Sequence, residues 1–332
     1  MTIVFFAPRF YPEIGGVEKH SYEVAKILSK KYKVIVFAEG FKERKENISG
    51  IKVIRLNFGK KSWFKKFVIW KKIFDYRKII KKADIVHCHD VFFWYLPLRI
   101  IYPRKKVYVT FHGYEGVFPP KTSALFVRKL SEKLTNGNIA IGKYIEKWYG
   151  TKANAVNYGA VNRVKESKII TKGSKLKILF IGRIEKDNGI KIYSKVLSKL
   201  KNYSFEAVGD GLLKNEFKKY GEVYGFVKNL NNHIRNSTII FSSSYLSILE
   251  GLSFKKPVFS VYENPLKRDY LEMTPFAKWI YISGSSQKTL EQINSVMQKN
   301  KLKKEGSPLS YKWIKDATWR KTVKDYLMLW NI

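Results

Sequence analysis

Short apolar runs alternate along the chain with longer stretches in which apolar residues recur every three or four positions, the pattern of parallel α/β sheets. Ile3–Ala7 reads as a first strand. Val17–Leu28, with Val17, Tyr22, Val24, Ala25 and Leu28 along one side, reads as a first helix. Further strands are predicted at Val34–Phe37, Val53–Leu56, Ile85–His89, Val107–Phe111 and Asn138–Ile141, the last leading into a helix over Lys143–Trp148. Val164–Lys175 is polar and lysine-rich, which marks a linker. The alternation then restarts with strands at Leu176–Ile181, Phe205–Val208, Thr238–Phe241 and Val258–Val261. Helices are predicted between them at Ile190–Leu200, at Leu212–Tyr220 and on the spacing of Leu246, Leu249 and Leu252. A last helix is predicted over Tyr311–Trp330, with Trp313, Ala317, Val323, Tyr326 and Leu327 among its apolar positions.

The fold class is therefore α/β, with two Rossmann-like domains facing a cleft. Ligands of such sheets bind at the carboxyl ends of the strands, which would face that cleft. A chain of 332 residues, 45% hydrophobic, can build two cores of ordinary size. The longest apolar run, Val91–Leu98 and on through Ile101, is too short to span a bilayer and contains Arg99. No basic region precedes the apolar residues at the N-terminus, so it reads as a strand rather than a signal peptide. Cys88 is the only cysteine, which excludes an internal disulfide and suits a reducing, cytoplasmic compartment.

Charge changes the picture. Sixty-four Lys and Arg against 27 Asp and Glu give +37, a field that attracts polyanions: nucleic acid, acidic headgroups or phosphorylated substrates. It is concentrated in Lys60–Lys82, where ten Lys and Arg accompany one acid, Asp75. Trp63, Phe67, Trp70 and Phe74 recur there at helical steps, flanked by Lys65, Lys66, Lys71 and Lys72. One reading is a helix that lies on an anionic membrane surface, making the protein peripheral there. The other is a helix whose aromatic side packs on the sheet while its lysines stay solvated. Nucleic acid is not expected as a partner, because no binding motif accompanies the charge.

Several short stretches can carry chemistry. Thr238–Phe241 runs into three serines and then a helix bearing Glu250, so a helix N-terminus with free N–H groups stands at a strand's end, where anions bind. Gly15-Gly16 stands before Val17–Leu28 and lets a phosphate approach the backbone. His112-Gly113 ends the strand Val107–Phe111, where an imidazole can hydrogen-bond a substrate. His87-Cys88-His89-Asp90 raises a metal, but no further histidine-rich motif supplies the missing ligands, and none is expected. Gly182-Arg183 and Gly209-Asp210-Gly211 follow the first two strands of the second half.

These stretches together resemble the retaining glycosyltransferases of the GT-B fold, family 4. Tyr11-Pro12-Glu13-Ile14-Gly15-Gly16-Val17-Glu18 is similar to that family's "Y-P-x-x-G-G-x-E" opening. Asp84-Ile85-Val86-His87-Cys88-His89 resembles its metal-free "D-x-V-H-x-H" strand, and Thr110-Phe111-His112-Gly113 its "T-x-H-G". Gly209 and Gly211 match its "G-x-G" turn beside the nucleotide, and Tyr224-Gly225-Phe226-Val227 its "F-x-G-x-V" segment near the base. The resemblance implies that His112 contacts the donor sugar and that Glu250, followed by Pro257-Val258, holds the ribose hydroxyls. Arg183 would grip the donor diphosphate, and Thr318-Trp319 with Tyr326 would belong to a closing helix that crosses back to the first domain. The chain departs from the pattern at three points: Ser242 stands where a second glutamate is expected, Asn188 replaces a diphosphate lysine, and Lys255 replaces a glycine. The serine loop is also shortened. Lys186, two residues from Asn188, is the candidate replacement cation.

The domains implied are 1–163 on the acceptor side, 172–310 for the nucleotide-sugar, and 311–332 crossing back. The function implied is metal-independent, retaining transfer of a sugar from a nucleotide-sugar donor to a lipid-linked or membrane-proximal glycan acceptor, with no cofactor. His112, Arg183 and Glu250 would act in catalysis, and Gly15, Gly16, Lys186, Gly209, Gly211, Gly225 and Ser242 would join Arg183 and Glu250 in donor binding. A second reading is a non-catalytic, polyanion-binding protein on a decayed scaffold of this kind, motivated by Ser242, Asn188 and the charge.

Overall fold

The computed structural model describes residues 1–60, 62–113, 116–162, 175–227, 229–298 and 308–332. The expected linker lies outside these residues, save for Lys175. Two compact units are present. The first is Met1–Glu115, Pro120–Asn157 and Trp319–Ile332; the second is Gly116–Pro119 and Tyr158–Thr318.

The first unit is built on eight strands: β1 (Thr2–Ala7), β2 (Lys33–Glu39), β3 (Arg44–Ile48), β4 (Ile51–Leu56), β5 (Ile85–His89), β6 (Lys106–Phe111), β7 (Gly137–Ile141) and β8 (Ala155–Asn157). Their order in the sheet is β3-β4-β2-β1-β5-β6-β7-β8. Its helices are α1 (Gly16–Leu28), α2 (Lys65–Asp75), α3 (Arg77–Lys82), α4 (Phe92–Ile101), α5 (Thr122–Leu134) and α6 (Tyr144–Tyr149). β1 is apolar without alternation because both faces are covered, and Ile3 through Ala7 are buried. β3 departs from this pattern. It pairs antiparallel with β4 around Ser49-Gly50, whose φ angles of 54° and 82° suit a two-residue hairpin. Its sequence, RKENI, has no apolar periodicity, as suits a charged edge strand, and sequence reasoning missed it.

The second unit carries β9 (Leu176–Ile181), β10 (Tyr203–Val208), β11 (Glu222–Val223), β12 (Ile239–Phe241), β13 (Val258–Val261) and β14 (Tyr281–Ser283) in the order β11-β10-β9-β12-β13-β14. All of its strand pairs are parallel. Its helices are α7 (Ile190–Leu197), α8 (Lys214–Lys218), α9 (Asn231–Asn236), α10 (Tyr245–Ser253), α11 (Pro265–Glu272), α12 (Ser286–Gln298) and α13 (Pro308–Asp316). Phe180, Tyr193, Phe205, Phe217, Phe241 and Phe259 form the centre of one apolar cluster beneath the sheet. The strand order reverses between β1 and β5 in the first sheet and between β9 and β12 in the second. The carboxyl ends of those four strands are where a ligand of each sheet belongs.

Two expectations are corrected. The single helix over Tyr311–Trp330 is two, α13 and α14 (Trp319–Trp330). The Ala317 carbonyl between them accepts from the Val161 N–H at 3.0 Å, so it leaves the helical ladder. The aromatic side of Lys60–Lys82 does not pack on the sheet. α2 faces α4 through Ile69 and Ile73, and α3 buries Ile80, whereas Trp63 is 71% exposed and Phe64, Phe67 and Phe74 are exposed as well. The buried stripe is aliphatic, and the aromatic positions fall about a quarter-turn away from it. Among the described residues no helix is long and apolar enough to cross a membrane.

Candidate functional site

In the first unit, Gly15 precedes α1 with extended backbone (φ 179°, ψ 173°) and Gly16 opens the helix. A Cβ on Gly15 would meet the Glu18 carboxylate, which lies against the head of α1, whereas one on Gly16 would meet nothing, so only the Gly16 side is open. The loop before them is held by Arg55 of β4, which is buried. Its guanidinium donates to the carbonyls of Phe10 and Tyr11 and pairs with Glu46 at 2.6 Å and Glu13 at 3.7 Å.

Beside this loop a network of four histidines forms, three from β5 and the end of β6 (His87, His89 and His112) and His20 from α1. One donor fixes the tautomer of its innermost member. Trp330 Nε1, which can only donate, bonds His87 Nδ1 at 3.2 Å. His87 therefore carries its proton on Nε2 and donates to Thr110 Oγ1 at 2.7 Å. Thr110 Oγ1 is in turn hydrogen-bonded to Tyr326 Oη at 2.9 Å, and Tyr326 Oη to His20 Nε2 at 3.0 Å. A second branch joins His89 Nδ1 to His112 Nε2 at 2.8 Å, and the Nε2 of His89 is buried with no hydrogen-bond partner. Burial lowers the pKa of His20 to about 3. Burial together with the neighbouring imidazoles holds His87, His89 and His112 well below the usual histidine range. Burial and neighbouring imidazoles disfavour the second ring proton on all four, so the cluster is uncharged at neutral pH. Both nitrogens of His87 are committed, and among the described residues no group of three His, Cys, Asp or Glu is placed to hold a metal ion.

His112 lines a pocket of about 230 Å³ with Val17, Asp90, Phe111, Gly113 and Arg128. Its N–H donates to Asp90 Oδ1 at 2.9 Å, which fixes the backbone at the end of β6. Arg128 of α5 is buried, donates to the Gly113 carbonyl and lies 3.9 Å from the centre of the Tyr149 ring. A neutral imidazole and a guanidinium on one pocket wall can bind hydroxyls and anionic oxygens. Arg128 was missed by sequence reasoning because nothing local distinguishes it from the other basic residues.

In the second unit, two glycine turns lock together. Gly209 (φ 151°) would place a Cβ 1.7 Å from the Gly182 carbonyl oxygen, and Gly211 (φ 157°) one 2.4 Å from that of Ile184. Only glycine allows this backbone-on-backbone approach. The Gly182 N–H donates to Val208 and that of Ile184 to Asp210, and the Gly209 N–H reaches Gly225 at 2.8 Å. Gly182-Arg183, Gly209-Asp210-Gly211 and Gly225 are thereby brought together.

Arg183 is 55% exposed and pairs with Asp187 at 2.8 Å. Lys186 stands exposed on the single turn Lys186–Asn188. Asn188, in contrast, is buried. It donates to the Arg183 carbonyl at 2.9 Å and accepts from Ser244 Oγ at 3.2 Å and from Lys267 Nζ at 3.5 Å. The residue that departs from the motif therefore ties the β9 turn to the head of α10 and to α11.

Ser242 is fully buried. Its carbonyl accepts from Ser260 Oγ at 2.6 Å, and its hydroxyl faces the Ser244 N–H at 3.4 Å. Ser243 exchanges hydrogen bonds with Val261, 2.9 Å each way. These serines bind β12 to β13. Ser244 starts α10, and Glu250 lies six residues on, about 9 Å along the axis. Lys267, buried in the first turn of α11, escaped sequence reasoning. The available signal was a cation at the positive pole of a helix announced by Asn264-Pro265.

Residues 14–156 match the family model described as Glycosyltransferase Family 4. Over 247 residues, 66% of this chain and 68% of the relative, the sequence is 26% identical to the O-antigen biosynthesis glycosyltransferase WbnH of Escherichia coli. A glycosyltransferase of Rickettsia africae shares the fold with a TM-score of 0.71 at 19% identity, over 99% of this chain and 97% of that one. Anabaena Alr3699/HepE, solved in complex with UDP-glucose, does so with a TM-score of 0.75 at 14% identity over 99% of each chain. Two Rossmann-like domains of this construction are the GT-B architecture.

Proposed function

We propose that this chain is a glycosyltransferase that moves a sugar from a nucleotide-sugar donor to a glycan acceptor carried on or near a membrane, with retention of anomeric configuration. The observation that carries the reading is the interlocked turn at the carboxyl ends of β9 and β10, where Arg183 follows Gly182 and its carbonyl is tied through Asn188 to the head of α10. Glycine backbone that a ligand can approach closely, a helix N-terminus and a guanidinium in one place suit a diphosphate, and cations there offset the charge that builds on a leaving nucleotide.

In this reading Glu250 hydrogen-bonds the ribose hydroxyls, and Gly209, Gly211 and Gly225 let the nucleotide lie against the backbone. Ser242 serves the site by holding the loop rather than by touching ligand. His112, neutral and paired with His89, hydrogen-bonds hydroxyls of the transferred sugar, while Gly15 and Gly16 offer the amides of α1. No cofactor takes part, because Arg183 and Lys186 supply the positive charge that a metal supplies elsewhere. The similarity to an O-antigen glycosyltransferase supports a lipopolysaccharide-type acceptor. The exposed Trp63, Phe64, Phe67 and Phe74 among lysines suit an anionic membrane surface on the cytoplasmic side.

Thermal stability with UDP, GDP and ADP tests the donor site. A nucleotide at about 100 times its dissociation constant adds about 2.7 kcal/mol, and one of the three should do so. Glu250→Ala should abolish that shift. Indifference of the wild type to all three would overturn the reading.

A further inference from the structure

Two lysines of the second unit are buried, and they differ in how their charge is met. Lys256 donates to the carbonyls of Arg235 at 3.0 Å and Ser237 at 2.5 Å, so its ammonium closes a backbone turn. Lys267, only 3% exposed, has one long bond, 3.5 Å to Asn188 Oδ1, and lies 4.2 Å from the centre of the Tyr270 ring. Asp187 acts on it electrostatically but gives its short ion pair to Arg183. An ammonium has three protons to place, and leaving a buried charge so poorly met costs stability unless an anion arrives. Its position adds a second cost, because the first turn of α11 is the positive end of that helix.

The surroundings indicate which anion. Asn188, the single acceptor of Lys267, is also bonded to the Arg183 carbonyl and to Ser244 at the head of α10. The ammonium, the backbone carbonyl of Arg183 and the Ser244 hydroxyl at the N-terminus of a nine-residue helix therefore converge on one amide, and the Arg183 charge is close enough to act on the ammonium.

We propose that Lys267 supplies the second cation of a diphosphate site, its ammonium lying beneath Arg183 and taking a phosphate oxygen of a bound nucleoside diphosphate. The assignment rests on the donor-site reading above and adds to it a residue that no local motif marks. A small swing of the four-carbon stem exchanges the long bond to Asn188 for one to the phosphate. Burial, reinforced by Arg183 and partly offset by Asp187, pushes the free Lys267 down to about 8. The remaining groups facing it, Asn188 and the Tyr270 ring, carry no charge at that pH. Its cation is therefore present at neutral pH and is lost from the empty site as pH rises through 8, whereas a bound anion holds the proton on. Affinity should fall by up to tenfold per pH unit above 8, where the phosphates of the ligand, with their last pKa near 6, no longer change charge.

The test is calorimetric titration of the full chain with whichever of UDP, GDP and ADP stabilises it, beside the parent nucleoside. Lys267→Met should weaken the diphosphate at least tenfold and leave the nucleoside within twofold. The ligand-free variant should melt no lower than wild type, since a poorly met buried charge has been removed. Lys267→Arg should retain diphosphate binding and abolish the decline above pH 8. Unchanged diphosphate affinity in Lys267→Met would overturn the assignment while leaving the donor site standing. Equal weakening of diphosphate and nucleoside, with a lowered melting temperature, would overturn it in favour of a structural lysine. If the wild type binds none of the three diphosphates, the donor reading fails and Lys267 with it.

Discussion

The two units place side chains by the same device and fill it with opposite electrostatics. In each, a parallel sheet reverses its strand order and the chain leaves the strand ends through short turns. The first unit fills that position with four imidazoles, a threonine and a tyrosine, all neutral, in a chain of hydrogen bonds started by Trp330. The second fills it with Arg183, Lys186, Asp187 and Lys267 around a buried amide. In the proposed reading, topology sets where ligands lie and residue type sets which groups each unit suits: hydroxyls in the first, phosphates in the second.

The largest test of this contrast is acid. Unfolded imidazoles titrate near 6.5, whereas the folded ones do so well below, His20 at about 3. Below pH 6.5 the unfolded first unit binds more protons than the folded one, so stability is full above 6.5 and falls as pH drops towards the folded values. The slope approaches about 1.4 kcal/mol per pH unit for each imidazole. The second unit holds no such cluster among its described residues, so scanning calorimetry should show the first unit melting earlier as pH is lowered, and simultaneous loss would break the contrast.

Next is Gly209→Ala, which should cost the second unit more than about 4 kcal/mol, because its Cβ would stand 1.7 Å from a carbonyl oxygen at a φ of 151°. Chemical denaturation should register this loss with the first unit's transition unmoved. Tyr326→Phe removes the hydroxyl between Thr110 and His20 and should cost the first unit about 1–3 kcal/mol, without altering nucleotide binding to the second. The smallest effect belongs to Trp63→Ser with Phe67→Ser. Both side chains are exposed, so stability should change by less than about 0.5 kcal/mol, while sedimentation with anionic vesicles should decrease.

Much of both units is legible in the amino-acid order, for a definite reason. Buried parallel strands are continuous apolar runs, and the turns at their ends need glycines and serines at fixed offsets. Ile3–Ala7, Gly182-Arg183, Gly209-Asp210-Gly211 and the serines before α10 stand out on that basis. What was missed depends on residues far apart in the chain. The bond between His20 and Tyr326 spans 306 positions, and the meaning of Asn188 emerges only once Lys267, 79 residues later, is seen against it. β3 is charged because it lies at an edge. In Lys60–Lys82 two periodicities compete, and the aliphatic one wins the core because Ile69, Ile73 and Ile80 fit against neighbouring elements, whereas Trp63, Phe67 and Phe74 stay outside and Trp70 is half-buried against Phe93.

The placement of α14 bears on how the polypeptide is made. Residues 319–332 complete the unit that residues 1–157 begin, and the Trp330 donor that orients His87 is separated from it by 243 positions. A ribosome delivers the second unit's whole sequence in the interval. During translation the first unit must therefore wait with an open flank, its histidines unoriented, while the second folds as a closed stretch of chain. Nascent-chain arrest just before residue 319 should release a protein whose second unit resists protease while the first is cut. Completion of the neutral histidine network is thus tied to the synthesis of Trp330, 243 positions after His87.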